Sequence, residues 1–183
     1  MKMLMLYANG FEDVEAIATR DVLVRAGIEV VDMSINENED VTSSHNLRIS
    51  GLKSASKSDL SSFSGIILPG GSHGVNNLLL SDFVLNTVKE FYDQGKLVCA
   101  ICAAPMVLGK LGLLKNREFT CYPGCEKGLD GIYTGKEVVE VDNIITGRSM
   151  LFSIAFGLKI IERLLGKAKS EQIYNQIAGL SAK

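Results

Sequence analysis

Apolar and polar residues follow one another along this chain in blocks that switch between two periods. Lys2-Met3-Leu4-Met5-Leu6-Tyr7, Gly65-Ile66-Ile67-Leu68 and Leu97-Val98-Cys99-Ala100-Ile101 are short, nearly unbroken apolar runs. Such runs are the pattern of strands buried on both faces of a parallel sheet. Between the first two, Glu12 to Ala26 has the spacing of an amphipathic helix and stops at Gly27, a helix C-cap. Ile28 to Met33 predicts a second strand, Asp82 to Gln94 a helix closed by Gly95, and Lys96 to Ile101 the strand that follows. Glu118 to Cys121, Val138 to Val141 and Asn143 to Thr146 predict later strands. Phe152 to Leu165 reads as a helix stopped by Gly166, and Ser170 to Ala178 as a last amphipathic stretch on the outside. From Asn36 to Ser50 the composition turns polar. There Val41-Thr42 and Leu47-Arg48-Ile49 flank Ser43 to Asn46, which predicts a short hairpin projecting from the sheet. Repeated strand–helix units imply one doubly wound α/β domain over residues 1–183, a mostly parallel sheet with helices on both faces.

Open α/β sheets bind ligands at the carboxyl ends of their strands, and three loops should meet there. After Ile101 the chain reads Cys102-Ala103-Ala104-Pro105, with Pro105 in the first turn of a helix, where a missing N–H costs nothing. Cys102 therefore sits where strand becomes helix, and a helix N-terminus favours a thiolate over a thiol. In the first loop, Glu12 and Asp13 suit the start of a helix. Glu15 differs: it is in phase with Ala18 and Val22, so it should point inward and need a partner or a proton. The turn Pro69-Gly70-Gly71-Ser72-His73-Gly74 can aim backbone N–H groups at a ligand. It has neither a Lys-Ser/Thr after the glycines nor the GxGxxG spacing, so an oxyanion hole for a cysteine adduct suits it better than a phosphate cradle.

Composition narrows the function classes. A net charge of −2 over 183 residues offers no electrostatic case for nucleic acid or an anionic membrane. No apolar run reaches the roughly 18 residues of a membrane span. Met1 to Tyr7 is too short and too closely followed by acidic residues for a signal sequence. Four cysteines in a domain with 46% apolar residues are not needed as staples, so reduced thiols and a cytoplasmic setting are expected. Cys99-x-x-Cys102 spans a strand end and Cys121-x-x-x-Cys125 has no second pair, so neither a metal nor a cofactor is expected. The two histidines, His45 and His73, carry no sequence mark of a catalytic base.

Together, Gly10-Phe11-Glu12-Asp13-Val14-Glu15, Leu68-Pro69-Gly70-Gly71 and Ala100-Ile101-Cys102-Ala103-Ala104-Pro105 resemble the ThiJ/PfpI superfamily over nearly the whole chain. The closer likeness is to its branch of parkinsonism-associated protein deglycases and bacterial ThiJ-type relatives. The resemblance implies a flavodoxin-like sandwich related to class I glutamine amidotransferases, and a homodimer. It implies that Cys102 is a nucleophilic, oxidisable cysteine with Glu15 bonded to its sulfur, and that Gly71 and Ala103 offer N–H groups nearby. His45 falls where relatives place a basic residue on a hairpin reaching the partner's site. Three departures stand out. Ala103 occupies the place of the peptidase branch's histidine, which argues against a protease. Tyr122 occupies the place of a deglycase histidine. Gly147-Arg148-Ser149-Met150-Leu151-Phe152 replaces a Gly-Pro-Gly-Thr turn and makes the wall bulkier and less polar. His45, His73, Tyr122 and Arg148 are thus the candidates for substrate or cross-dimer contact.

A thiol and a carboxyl in contact titrate as a unit. A carboxylic acid that donates to the sulfur lowers the thiol pKa, and with a helix N-terminus behind it the expected pair is thiolate plus acid, with Cys102 depressed. Such a thiolate can add to a 2-oxoaldehyde such as methylglyoxal while Gly70, Gly71 and Ala103 face the oxyanion. Glu15 then shuttles the proton toward the 2-hydroxy acid without glutathione. Glycated groups would be cleaved by related chemistry. The alternative function is a redox sensor or stress-response chaperone whose signal is oxidation of Cys102.

Overall fold

The computed structural model describes residues 1–36 and 40–180. Residues 37–39, within the polar run from Asn36 to Ser50, and 181–183 lie outside the described residues. The chain runs β1 (Lys2–Tyr7), α1 (Asp13–Arg25), β2 (Glu29–Ser34), β3 (Val41–Thr42), β4 (Arg48–Ile49), β5 (Lys53–Ser54), β6 (Gly65–Leu68), α2 (Ser72–Leu80) and α3 (Asp82–Asp93). It continues through β7 (Leu97–Ile101), α4 (Pro105–Lys110), β8 (Glu118–Phe119), β9 (Ile132–Tyr133), β10 (Val138–Val141), β11 (Ile144–Gly147), α5 (Ser153–Leu165) and α6 (Lys167–Ile177). Seven strands form the central sheet in the order β10-β11-β7-β6-β1-β2-β5. Every neighbouring pair is parallel except β10 with β11. This is the doubly wound α/β architecture expected from the alternation of periods, and the flavodoxin-like sandwich that the resemblance implies.

The buried runs owe their continuity to cover on both faces. Leu4, Leu6, Ile66, Leu68, Val98 and Ala100 pack with Val84, Val88 and Phe91 of α3 and Val107 of α4. The alternate residues Met3, Met5, Ile67, Cys99 and Ile101 pack with Val22 and Leu23 of α1 and Phe156 and Ile160 of α5. A period of two divides each strand between the layers. From β1 the chain goes to β2 on one side and later to β6 on the other, so the strand order reverses between β1 and β6. That switch point is where an open sheet leaves a crevice.

Three expectations need correction. The strand over Glu118 to Cys121 shortens to Glu118–Phe119 and leaves the central sheet to pair with β9. Thr120 instead gives its N–H to Thr146 Oγ1 at 3.0 Å and its hydroxyl to Lys136 O at 2.7 Å, which ends the ladder. The segment after Pro69-Gly70-Gly71 is not only a turn but a nine-residue helix, α2. Gly74 belongs there because a Cβ would lie 2.8 Å from Phe11 N and 2.9 Å from Gly10 O, with α2 running tight against the first loop. Finally, α1 is less one-sided than its spacing suggests. Glu15, Ala16, Thr19, Val22 and Leu23 face inward, Ala18 is only half-buried, and Val14, Ile17 and Val24 are exposed.

Candidate active site

Three chain reversals converge at the switch point. The strand β7 ends at Ile101, and Cys102 takes φ +64°, a left-handed conformation that a non-glycine residue rarely adopts. Such a conformation costs on the order of 1–3 kcal/mol and persists only where the surroundings impose it. Here the Cys102 N–H donates to Gly147 O at 2.9 Å, and Cys102 O accepts from the Tyr122 N–H at 2.8 Å. The bend brings the thiol past the end of the strand, where it packs on the edge of the layer that holds Cys99 and is only partly buried.

Glu15 meets it from α1. The side chain is 1% exposed, and Oε2 accepts the Gly70 N–H at 2.9 Å. Oε1 is buried and accepts no hydrogen bond. The Cys102 thiol is within hydrogen-bonding reach of the same carboxyl. Gly70 explains the closeness: a Cβ there would fall 2.5 Å from Glu15 Oε2 and 2.7 Å from Cys102 Cβ. Gly71 is equally constrained, with φ +91° and only 2.4 Å between a would-be Cβ and Gly10 O. Of the three expected oxyanion donors, Gly70 is thus committed to the carboxyl, while the backbone N–H groups of Gly71 and Ala103 act on the thiol by favouring its charged form.

Burial pushes the Glu15 carboxyl up to about 7, the nearby Glu12 charge adds to this, and the bonds to Cys102 and Gly70 oppose it. The thiol is also pushed up, first by burial and then by the Glu15 charge, against the pull of the Gly71 and Ala103 N–H groups. The expected depression of Cys102 is therefore corrected. The helix behind it, α4, is only six residues long and begins at Pro105, so its dipole is a small offset to burial. A thiolate at Cys102 is conditional on the proton residing on Glu15, because protonation removes the repelling charge and supplies a donor. The Glu15 carboxyl gains and loses its proton around neutrality, and the charge it then carries acts on the thiol beside it.

Cys102 opens on a cavity of about 500 Å³. Val75, Ala103, Met106, Tyr122 and Pro123 wall it, Ser72 and Asn76 give a polar edge, and Cys125 lies across it. None of the cavity's described lining residues is Asp, Glu, Lys or Arg. Tyr122 is thus at the site. His73, exposed in the first turn of α2, packs against Gly10 and does not line this cavity. Arg148 is turned elsewhere, donating to Gly135 O at 2.8 Å with its guanidinium 4.4 Å above the Phe152 ring.

His45 sits in the turn of the β3–β4 hairpin, 2.8 Å from Asp13 Oδ2 through Nδ1. The hairpin is clamped onto the start of α1: Ser43 Oγ donates to Asp13 Oδ1 at 2.6 Å, and the Gly10 N–H donates to Thr42 O at 2.7 Å. Glu12 Oε2 accepts the Glu15 N–H at 2.7 Å as an N-cap. Ligand atoms of Glu12, Asp13 and His45 lie within 4.8 Å of one another. Capping and the hairpin already engage this trio, at a helix N-terminus whose positive end disfavours a cation. Of the lining residues, the sequence singled out Cys102, Ala103 and Tyr122 as site candidates; Val75, Asn76 and Met106 carried no mark of a site, and Cys125 was set aside because it has no second metal-binding pair.

A buried acid, a cysteine on a strained strand-to-helix bend and a glycine between them invite comparison with known proteins. Residues 1–163 match the DJ-1/PfpI family. The chain belongs to that family. Protein dj-1beta of Drosophila melanogaster is 36% identical over 173 residues, covering 93% of this chain and 92% of that one. The crystal structure of Drosophila DJ-1beta matches with a TM-score of 0.91 at 34% identity, covering 97% of each chain. A deglycase of Pyrococcus horikoshii is 32% identical over 147 residues, 80% of this chain and 86% of its own length. The glutathione-independent glyoxalase DJ-1 of Schizosaccharomyces pombe is 29% identical over 189 residues, 97% of this chain and 98% of its own length. Among the described residues, no helix is long and apolar enough to cross a membrane.

Proposed function

We propose that this DJ-1/PfpI family member is a cysteine-dependent, glutathione-independent enzyme of the glyoxalase or deglycase kind, acting on 2-oxoaldehydes or on groups they have glycated. The observation that carries this reading is the Cys102–Glu15 pair, a thiol that opens on a cavity with no charged residue in its lining and is backed by a buried carboxyl pushed up to about 7. With the proton on Glu15, the Cys102 thiolate adds to the aldehyde carbon of methylglyoxal and the carbonyl oxygen takes up that proton. The Glu15 carboxylate then removes the hydrogen from the former aldehyde carbon and returns a proton to the adjacent carbon, while the new hydroxyl's proton passes to the adjacent carbonyl oxygen. This internal redox step leaves a 2-hydroxyacyl thioester on Cys102. Water cleaves the thioester to lactate and restores the thiol, so the net reaction is addition of one water. The Gly71 and Ala103 N–H groups suit the role of oxyanion donors.

The reaction needs Cys102 reduced, which fits a cytoplasmic enzyme. The reading takes the protein as a homodimer. Val14 and Ile17 of α1, Ile154 in the first turn of the neighbouring α5 and Leu151 just before it are large apolar residues left exposed, a surface suited to a second copy. Incubation with methylglyoxal in the absence of glutathione, with D- and L-lactate quantified for the protein and its Cys102→Ser variant, tests the function. Cysteine-dependent lactate supports it. No lactate from either protein overturns it and favours redox sensing through the same thiol.

A further inference from the structure

The cavity beside Cys102 holds a second thiol. Of the four cysteines, only Cys102 and Cys125 line it. Both are half-buried, whereas Cys99 and Cys121 are fully enclosed in the two core layers. The main chain ties the two cavity cysteines together in two steps: the Tyr122 N–H donates to Cys102 O at 2.8 Å, and the Cys125 N–H donates to Tyr122 O at 2.9 Å. We infer that Cys125 is a resolving cysteine, which captures the sulfenic acid of Cys102 as an intramolecular disulfide before it oxidises further.

The chemistry balances with a hydroperoxide as the oxidant. The Cys102 sulfur attacks one oxygen of hydrogen peroxide, the O–O bond breaks, and the departing hydroxide takes the thiol proton to leave as water. The Cys125 sulfur then attacks the Cys102 sulfur. The S–S bond forms, the S–O bond breaks, and hydroxide leaves as water with the Cys125 proton. Two thiols lose two electrons together, and one peroxide becomes two waters. An exogenous dithiol can reverse the oxidation by exchange.

The local fold suits the approach this needs. A disulfide requires Cα atoms about 4.4–6.8 Å apart, and the Tyr122–Cys125 turn is the element that can adjust to meet this. From Cys121 to Gly131 the chain is a succession of turns outside the central sheet, with Gly124 at φ +100° and Gly128 at φ +81°. Moving it breaks no rung of the sheet. Cys102 is held by Gly147 and cannot travel, so the turn supplies the motion. A disulfide here would plug the cavity mouth and protect the thiol from the sulfinic acid, which thiols do not reduce.

The test uses the intact protein, hydrogen peroxide at one and ten equivalents, and mass spectrometry of intact chains and of peptides alkylated without reduction. At one equivalent the expected product is a monomer about 2 Da lighter, with the peptides of Cys102 and Cys125 joined and dithiothreitol restoring both. Cys125→Ser and Cys125→Ala should both instead become about 32 Da heavier at Cys102 as peroxide rises. Four results would overturn the inference: sulfinic acid at Cys102 with Cys125 free, a disulfide using Cys121, a disulfide only between chains, or no oxidation of Cys102. The readout needs no aldehyde substrate, so its failure is separate from that of the enzymatic reading.

Discussion

Cys99 and Cys102 lie three residues apart, one inside β7 and the other one step past its end, yet they are different chemical objects. Cys99 is 0% exposed, packed among Met3, Met5 and Ile67, and burial raises its thiol well out of the physiological range. Burial raises Cys102 as well. What separates them is what the backbone brings near. Cys102 has the Gly71 and Ala103 N–H groups, an acid poised at about 7 and an open cavity, while Cys99 has apolar neighbours. Reactivity in this strand is set by a change of φ at one residue and by the loops that the change meets.

The comparison breaks most sharply at the thiols themselves. Cys102→Ser should lower lactate formation by more than about 10³-fold, whereas Cys99→Ser should leave kcat/KM unchanged in the same assay. Equal losses from both would place the chemistry elsewhere. Removing the acid should come next. Glu15→Gln keeps an acceptor for the Gly70 N–H but cannot carry the proton, so kcat should fall by about 10²–10⁴-fold.

The same variant sharpens the picture through stability. In the unfolded chain Glu15 titrates near 4.5 and in the fold at about 7. Between those values the fold holds a proton that the unfolded chain has released. The stabilisation is full below pH 4.5 and lost as pH rises through 7, a change of about 3 kcal/mol. Urea unfolding at pH 4.5 and 8 should therefore show Glu15→Gln gaining on the wild type only at the higher pH. An equal difference at both would mean that Glu15 is not buried as an acid.

Gly70→Ala tests the spacing of the pair. Its Cβ must displace Glu15 or Cys102, at a cost of about 1–3 kcal/mol, and the proposed activity should drop although the thiol and the carboxyl both remain. A variant with unchanged melting and unchanged rate would contradict the crowding at that position. The smallest effect belongs to the inert partner. Cys99→Ser buries a hydroxyl among apolar side chains and should cost about 1–3 kcal/mol in chemical denaturation, leaving the pH dependence of activity intact.

Much of this arrangement was legible in the sequence because local rules govern it. The apolar runs give β1 and β6 to the residue, and the phase of Glu15 against Val22 foretold its burial. The thiol's electrostatics were not legible, since the depth of the site and the charge of Glu15 are tertiary facts that no spacing encodes. The helix α2 hid behind its glycines: Gly70, Gly71 and Gly74 read as a turn. Gly74 in fact lies inside a helix, pressed against the carbonyl of Gly10, a residue distant in sequence. The role of Tyr122 and Cys125 in the cavity wall depends on a turn-rich segment with no periodicity, where sequence patterns say least.

Gly70 also has a use outside this molecule. Only a hydrogen fits between the acid and the thiol, so the letter at this position reports whether the two can meet at all. A related chain that keeps both the glutamate and the cysteine loses the pair through a single methyl group at this position. Sorting such chains by this one position would divide those that can bring the acid to the thiol from those that cannot, before any protein is made.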